Sequence, residues 1–202
     1  FANTLRFKLG MILADSDAAT AKSNVEAADA GAFTSSDDDG LMPYLSATPN
    51  TNPLYADIIL GGRGDYLAAE DLMDPLIDLN DPRKSLYFGT NNDGEYVGGV
   101  VGAGNTYSTT SKPSAQVSAA DAPGIFLTYS ELEFYRAEAI ERGFTVAGTA
   151  AEHYTNGIKA SILDWGGSAG DATTYLAQPE VAYATATGTW KEKIAFQKWI
   201  AL

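Results

Sequence analysis

The sequence predicts a mainly α-helical protein in which helical hairpins alternate with long irregular loops. Residues 128–166 give the first reason, because two segments with apolar residues at spacings of three and four follow one another. Residues 89–123 give the second, since glycine, serine, threonine and asparagine dominate there and helical periodicity disappears. Small residues lie within the apolar stripes, as stacked helix pairs require, so we predict tetratricopeptide-like hairpins forming part of an α-α superhelix.

The whole chain, residues 1–202, is predicted to form one partial domain. It comprises a helical hairpin at 2–31, loops and short elements at 32–127, a second hairpin at 128–166, and a loop with a final helix at 167–202. The first residue is not methionine and opens directly into a helical pattern, and no stop signal follows the last helix. We therefore expect an internal piece of a longer protein.

The first hairpin is predicted from two short helical patterns separated by a turn. Residues 2–14 form the first, and Asp17 is placed to cap the second, at 18–30, before the stop at Gly31. The apolar side of the first helix is expected to contain Leu5, Leu9 and Ile12.

The region between the hairpins carries weaker signals. Residues 34–52 have the composition of a loop, and residues 55–60 fit a short strand or a turn. A helix is expected over 68–79, with a kink or boundary at Pro75. Loops as long as 89–123 are uncommon in compact domains and are usually functional or disordered.

The second hairpin has the clearest helical signals in the chain. Capping boxes are expected where Thr128 is followed by Glu131 and Thr149 by Glu152. Gly157 lies inside the apolar stripe of the second helix, where it costs roughly 1 kcal/mol relative to alanine, and a close approach by the first helix would offset that cost. Four aromatic residues on helix stripes are expected to be core, namely Tyr135, Tyr154, Trp165 and Trp199.

Beyond the second hairpin, the chain is predicted to form two further helices joined by a loop. Residues 171–178 are expected to form a short helix that ends before Pro179. Thr189 and Glu192 are spaced as a third capping box, which opens the final helix at 190–202.

Negative charge dominates the composition, with 26 acidic against 13 basic residues and a formal net charge of −13 at pH 7. This balance argues against nucleic-acid binding, which needs a basic surface, and against attraction to anionic lipid. The chain has no cysteine, which excludes disulfides, thiolate metal sites and a cysteine nucleophile. No apolar run approaches the roughly 20 residues that span a bilayer.

The sequence predicts no catalytic residue, cofactor or metal site. A retaining glycosidase needs two carboxyl groups roughly 5–5.5 Å apart in a cleft, whereas the glutamates after Thr128 have plainer roles as caps, solvent-facing charges or i,i+4 partners. The single histidine, His153, lies outside the apolar stripe and is expected to be exposed, and no nucleophile elbow accompanies it. The run 37–39 offers carboxylates that suit a hard cation, but a solvated acidic turn is the simpler interpretation. The glutamates considered above as a glycosidase pair are Glu131, Glu133, Glu138 and Glu141.

Aromatic residues carry the binding hypothesis. Sugar rings present apolar C–H faces that stack on tyrosine and tryptophan, and ligand contacts concentrate in loops. Tyr96 and Tyr107 lie in the long loop and are the predicted ligand-binding residues. The alternative is that both rings pin the loop to the helical body.

Several stretches resemble the SusD/RagB family of nutrient-binding outer-membrane lipoproteins, most closely its second SusD-like branch. The chain opens with Phe1-Ala2-Asn3-Thr4-Leu5-Arg6, contains the turn Asn80-Asp81-Pro82-Arg83, and ends with Gln197-Lys198-Trp199-Ile200-Ala201-Leu202. Between these lie Tyr129-Ser130-Glu131 and Ala137-Glu138-Ala139. The order and spacing of these stretches carry the resemblance, although the chain has Lys8-Leu9-Gly10-Met11 where the family often carries a second arginine.

The resemblance implies a helical fold with long inserted loops and a location on the outer leaflet of the outer membrane in Bacteroidetes. It further implies a SusC-like TonB-dependent barrel as partner, an oligosaccharide or peptide ligand, no enzymatic activity, and a lipid anchor outside these residues. Two other functions stay open from the residues alone. One is a generic helical-repeat scaffold that binds protein segments, and the other is a glycan-active enzyme.

Overall fold

The computed structural model describes residues 1–202, and most of its regular structure is helical. The strands are short: β1 (Gly40–Met42), β2 (Phe88–Gly89), β3 (Lys112–Pro113) and β4 (Gly124–Leu127). Strands β2 and β3 pair antiparallel, with Phe88 opposite Pro113. The α-helices are α1 (Ala2–Ile12), α2 (Ala18–Asp29), α3 (Pro53–Tyr55), α4 (Glu70–Asp78), α5 (Lys84–Tyr87), α6 (Tyr129–Glu141), α7 (Ala150–Asp164), α8 (Ala169–Leu176) and α9 (Trp190–Ala201).

The chain divides into two compact units. Unit 1 comprises residues 1–40, 125–164 and 168–202, and unit 2 comprises residues 41–124 and 165–167. Unit 1 contains both predicted hairpins, α1 with α2 and α6 with α7, and the predicted helical fold class is confirmed. Its core holds Phe7, Met11, Val25, Ala28, Phe33, Leu127, Leu132, Tyr135 and Ala139.

Helix α1 buries a different face from the one predicted. Leu5, Leu9 and Ile12 are 38–64% exposed. Helix α2 instead packs against the opposite side of α1, where a Cβ added at Gly10 would lie only 2.9 Å from Val25 Cγ2. Both faces of α1 carry apolar residues at helical spacing, so periodicity alone could not select between them. The buried face consists of Thr4, Phe7, Gly10 and Met11.

The aromatic core predictions are partly right. Tyr135 and Tyr154 are buried, and half-buried Trp165 packs edge-on against Tyr87 with ring centroids 4.7 Å apart. Trp199 is 48% exposed, so its assignment to the core is wrong. Helix α9 buries Ile194, Gln197, Ile200 and Ala201 instead, which leaves Trp199 off the packed face.

Capping explains where three helices begin. Thr149 and Glu152 exchange hydrogen bonds at the start of α7, as do Thr189 and Glu192 at the start of α9. The box predicted at α6 is only half formed, because the Thr128 hydroxyl accepts from the Glu131 N–H while the Glu131 carboxylate pairs with Lys8 at 2.8 Å. The second half is lost because an ion pair competes for the carboxylate.

Asp39 supplies a further cap of α6 from outside the helix. Its Oδ1 accepts from the Tyr129 N–H at 2.6 Å, and burial raises the pKa of Asp39 to about 6 despite that hydrogen bond. Asp38 accepts from the Thr34 N–H and hydroxyl. Asp38 therefore stabilises the loop, and Asp39 stabilises the start of α6. Because Asp39 is partly buried, the expectation of a fully solvated turn is wrong for this residue.

Unit 2 is less regular than unit 1. Residues 53–60 form α3 and a five-residue π-helix, so the short strand or turn expected at 55–60 is wrong. Helix α4 begins at Glu70, two residues later than predicted, and continues through Pro75 to Asp78. Asn80, with φ of +47°, then turns the chain into the buried pair of Asp81 and Arg83.

Replacement of Gly157 by alanine is expected to destabilise the second hairpin by about 1 kcal/mol. A Cβ at this position would lie 2.9 Å from Phe134 Cε2, and the Phe134 ring is fully buried. The overpacking cost of about 1–3 kcal/mol exceeds the gain in helix propensity. Urea unfolding measures the difference. The matched control is Gly170→Ala in α8, where the nearest atom is the Ser168 hydroxyl at 3.5 Å and no loss is expected.

Candidate functional site

The long loop of unit 2 is held in one conformation by backbone hydrogen bonds. Val97 and Ser111 exchange two of them, at 2.8 Å and 3.0 Å, the second through the Ser111 hydroxyl. Asn92 N–H donates to the Ser108 carbonyl, and Gly99 N–H donates to the Ala68 carbonyl. The loop therefore presents its side chains from a fixed backbone.

The turn that opens this loop is built by an asparagine. Asn91 Oδ1 accepts from the N–H groups of Asp93 and Glu95, both at 2.9 Å. The asparagine is buried, whereas Asp93 and Glu95 are exposed. This geometry is that of a side-chain-stabilised turn.

Tyr107 lies on the surface of this loop, with 43% of its area exposed. The Lys112 ammonium lies over the ring, 4.3 Å from its centroid, and donates to Asn92 Oδ1 at 3.0 Å. A Cβ added at Gly64 would lie 3.5–3.8 Å from Cγ, Cδ2 and Cε2 of the ring. The ring is thus fixed by its neighbours but keeps a large accessible area, as a stacking platform for a ligand requires.

A polar cluster continues this surface along residues 57–66. Arg63 lies between two carboxylates. It donates two hydrogen bonds to Asp65, and its Nη1 lies 3.6 Å from Asp57 Oδ2. The guanidinium also stacks 5.0 Å from the Tyr66 ring centroid, and the Tyr66 hydroxyl donates to Asp57 at 2.9 Å. The hydrogen bond from Arg63 lowers the pKa of Asp65, and the one to Asp57 raises the pKa of Tyr66. We call residues 63–66 together with Tyr107 and Lys112 the Tyr107 surface.

Tyr96 occupies a different environment. Its ring is half-buried and lies under the Lys84 ammonium, 5.0 Å from the centroid. This position fits the packing interpretation better than the position of Tyr107 does. Both residues stay predictions as ligand contacts.

Sequence reasoning missed three members of the surface, Arg63, Tyr66 and Lys112. The run Gly61-Gly62-Arg63-Gly64-Asp65-Tyr66 held a usable signal, because a cation and an aromatic residue lie within a glycine-rich turn. Arg63 and Tyr66 lie more than 40 positions from Tyr107 in the sequence, so no local pattern records their approach, whereas Lys112 lies only five positions away.

His153 is not exposed as predicted, since its side chain is only 13% accessible. Its Nδ1 lies 2.8 Å from Glu133 Oε2 and its Nε2 lies 2.7 Å from the Ala147 carbonyl oxygen. Glu133, expected to face solvent or cap, is buried and also accepts from Arg136 and Asn156. The prediction failed because the partner lies on α6, twenty residues away from His153.

Both partners of His153 are hydrogen-bond acceptors only, a carboxylate and a carbonyl. Hydrogen bonds to both partners at once therefore require a proton on each ring nitrogen, which is the imidazolium form. Burial alone lowers the pKa of His153, but the hydrogen bonds to Glu133 and Ala147 outweigh it and raise the pKa overall. Burial likewise raises the pKa of Glu133, and the bonds from His153 and Arg136 lower it overall. The arrangement is an ion pair that joins α6, α7 and the loop between them.

The other glutamates of α6 are also engaged in structural contacts. Glu138 pairs with Arg142 at 2.8 Å, as the i,i+4 spacing predicted, and Glu141 accepts from the Tyr183 hydroxyl. No group of three or more histidine and acidic side chains is arranged to hold a metal ion. None of the helices combines the length and apolarity needed to cross a membrane.

Comparison with known proteins identifies the group to which this scaffold belongs. A family profile described as SusD-like, starch-binding and associating with the outer membrane matches residues 1–202. The chain belongs to the SusD-like family. The names of the family and of its solved members are those of binding proteins and not of enzymes.

Solved SusD-like structures superpose on nearly the whole chain. A chitin-binding protein is 30% identical with a TM-score of 0.82, covering 99% of this chain and 48% of that one. A chitin-binding SusD homologue from Flavobacterium johnsoniae is 28% identical, with a TM-score of 0.80 and coverages of 100% and 47%. A SusD homologue from Bacteroides vulgatus is 30% identical, with a TM-score of 0.78 and coverages of 99% and 46%. The chain thus spans about half the length of these structures, and no curated protein sequence matches it.

Proposed function

We propose that this SusD-like protein is the glycan-binding component of a cell-surface nutrient-uptake system. Family membership across residues 1–202 supports a binding role at the outer membrane. Two of the structures it resembles are described as chitin-binding. The observation that carries the proposal is the exposed ring of Tyr107, presented by a hydrogen-bonded loop beside further polar and aromatic groups.

The ligand in this proposal is an oligosaccharide that stacks a sugar face on Tyr107. Tyr66 and Arg63 supply hydrogen-bonding groups on the same surface. Tyr96 is a second proposed contact, reached where the loop passes Lys84. A peptide is the alternative ligand, and the planar Tyr107 ring favours the saccharide because pyranose C–H faces match its shape.

Replacement of Tyr107 by alanine is expected to weaken glycan binding roughly threefold to tenfold, since an aromatic contact contributes about 0.5–1.5 kcal/mol. Isothermal titration calorimetry against chito-oligosaccharides and malto-oligosaccharides measures the change. Tyr107→Phe is the matched control, because it keeps the ring and should stay within about threefold of the wild type. Equal affinities for wild type and Tyr107→Ala, on a glycan that does bind, would remove Tyr107 from the site.

The proposed partner is a SusC-like TonB-dependent barrel, and the proposed attachment to the membrane is a lipid anchor outside residues 1–202. Mild detergent extraction of the full-length protein from outer membranes, followed by affinity purification, tests the partner directly. A large barrel protein should co-purify in a stoichiometric amount. Purification of the full-length protein alone would contradict the partnership, and a full-length gene without a lipoprotein cysteine would contradict the anchor.

A further inference from the structure

Unit 2, which carries the Tyr107 surface, is strongly acidic. Within residues 41–124 there are ten aspartates and glutamates and only four basic residues. Such an excess repels polyanions and raises the cost of bringing a negatively charged ligand to the surface. The four basic residues therefore decide whether an anionic ligand has any partner on this unit, and they are Arg63, Arg83, Lys84 and Lys112.

Both arginines are already paired with carboxylates. Arg83 is fully buried against Asp81, with Nη2 and Oδ2 2.6 Å apart, so a ligand cannot reach it. Arg63 is about half exposed but lies between Asp57 and Asp65. One cation facing two carboxylates leaves the local charge negative, so this guanidinium orients a ligand through hydrogen bonds without attracting an anion.

Both lysines lie over the tyrosine rings and are partly buried. The Lys112 ammonium lies over Tyr107 and donates to Asn92, while the Lys84 ammonium lies over Tyr96. The nearby Asp93 and Glu95 side chains are exposed. Every cation of unit 2 is thus matched with an acidic, amide or aromatic group of the same unit.

Resting on the proposed function, we infer that the Tyr107 surface takes uncharged glycans and discriminates against uronate-containing and sulfated ones. The selectivity arises because acidic side chains outnumber basic ones on unit 2 and each cation of the surface already contacts a group of the same unit. Discrimination by unfavourable charge is an established route to specificity.

The experiment compares neutral and anionic glycans on one gel system. Affinity electrophoresis of the wild-type protein is run at low and at high salt. The neutral glycans are chitosan-free soluble chitin oligomers, laminarin and dextrin, and the anionic ones are polygalacturonate, alginate and heparin. Retardation by at least one neutral glycan, with none by the three polyanions at low salt, is the expected result. If a polyanion retards the protein more than every neutral glycan does, and this retardation weakens with salt, the inference is overturned and the proposed function still stands. Retardation by no glycan at all would overturn the proposed function and this inference with it.

A pair of double variants tests the origin of the discrimination. Asp57→Asn with Asp65→Asn frees Arg63, so retardation by a polyanion at low salt is expected to appear in this double variant. Asp71→Asn with Asp74→Asn removes two exposed charges from α4 and leaves Arg63 paired, which makes it the matched control for net charge. An equal gain in both double variants would assign the effect to overall charge and overturn the role of Arg63. Circular dichroism spectra confirm that both variants are folded.

Discussion

Replacement of Asp81 by alanine is expected to lower the free energy of unfolding of unit 2 by about 3–5 kcal/mol, the usual cost of removing one partner from a buried ion pair. Asp81 Oδ1 accepts from both the Nε and the backbone N–H of Arg83 at 2.9 Å, and Oδ2 accepts from Nη2 at 2.6 Å. Both side chains are completely inaccessible. Without the carboxylate, a buried guanidinium loses its counter-ion, and the turn that follows α4 loses the bond that shapes it.

Tryptophan fluorescence can report this loss from unit 2 itself. Trp165 packs against Tyr87 within the unit, whereas Trp190 and Trp199 lie on α9 of unit 1. Urea unfolding in a background of Trp190→Phe and Trp199→Phe therefore isolates the signal of unit 2. Asp65→Ala, which breaks the exposed pair with Arg63, is the control and should shift the midpoint little because surface ion pairs contribute little. Similar midpoints for Asp81→Ala and Asp65→Ala would contradict the structural role of the buried pair.

The helices could be predicted from the sequence largely because capping is local. The capping boxes at Thr149 and Thr189 depend on residues three positions apart, and both form as that spacing predicts. The half-formed box at Thr128 shows the limit, since a lysine from α1 captures the Glu131 carboxylate across more than 120 positions. Local rules indicate where a helix begins, but they do not identify which distant group competes for its cap.

The buried faces and the candidate surface were harder to predict because they depend on tertiary contacts. Helix α1 has apolar residues on two sides, and only the approach of α2 at Gly10 selects Phe7 over Leu9. The loop position of Tyr107 follows from the composition of residues 89–123. Lys112 lies only five positions from Tyr107, but the turn that carries Arg63 reaches the ring only after the chain folds, so sequence spacing does not place Arg63 beside Tyr107.

Replacement of His153 by glutamine is expected to lower the free energy of unfolding by about 1.5–3 kcal/mol at neutral pH, the range for a hydrogen bond to a charged group. Glutamine donates only from its single amide nitrogen, so it cannot replace the two ring nitrogens that contact Glu133 and the Ala147 carbonyl. Glu133 keeps its bonds from Arg136 and Asn156, which limits the loss. Urea unfolding of wild type and variant in parallel measures the difference.

The pH dependence of that difference separates an ion pair from simple packing. Because the folded-state pKa of His153 is raised, its contribution is fully present below the unfolded value near 6.5 and is lost as pH rises through the raised value. The gap between wild type and His153→Gln should therefore shrink as pH is raised from about 6.5 into the alkaline range. Asp29 accepts a hydrogen bond from Arg136 in the same network. Arg136, Glu26 and Glu133 keep their charges over this range, because the pKa of Arg136 is raised and the pKa values of both glutamates are lowered. A gap that stays constant over this range would mean that His153 is neutral in the folded protein. In that case one of its two short contacts could not be a hydrogen bond, because a neutral ring has only one N–H to donate.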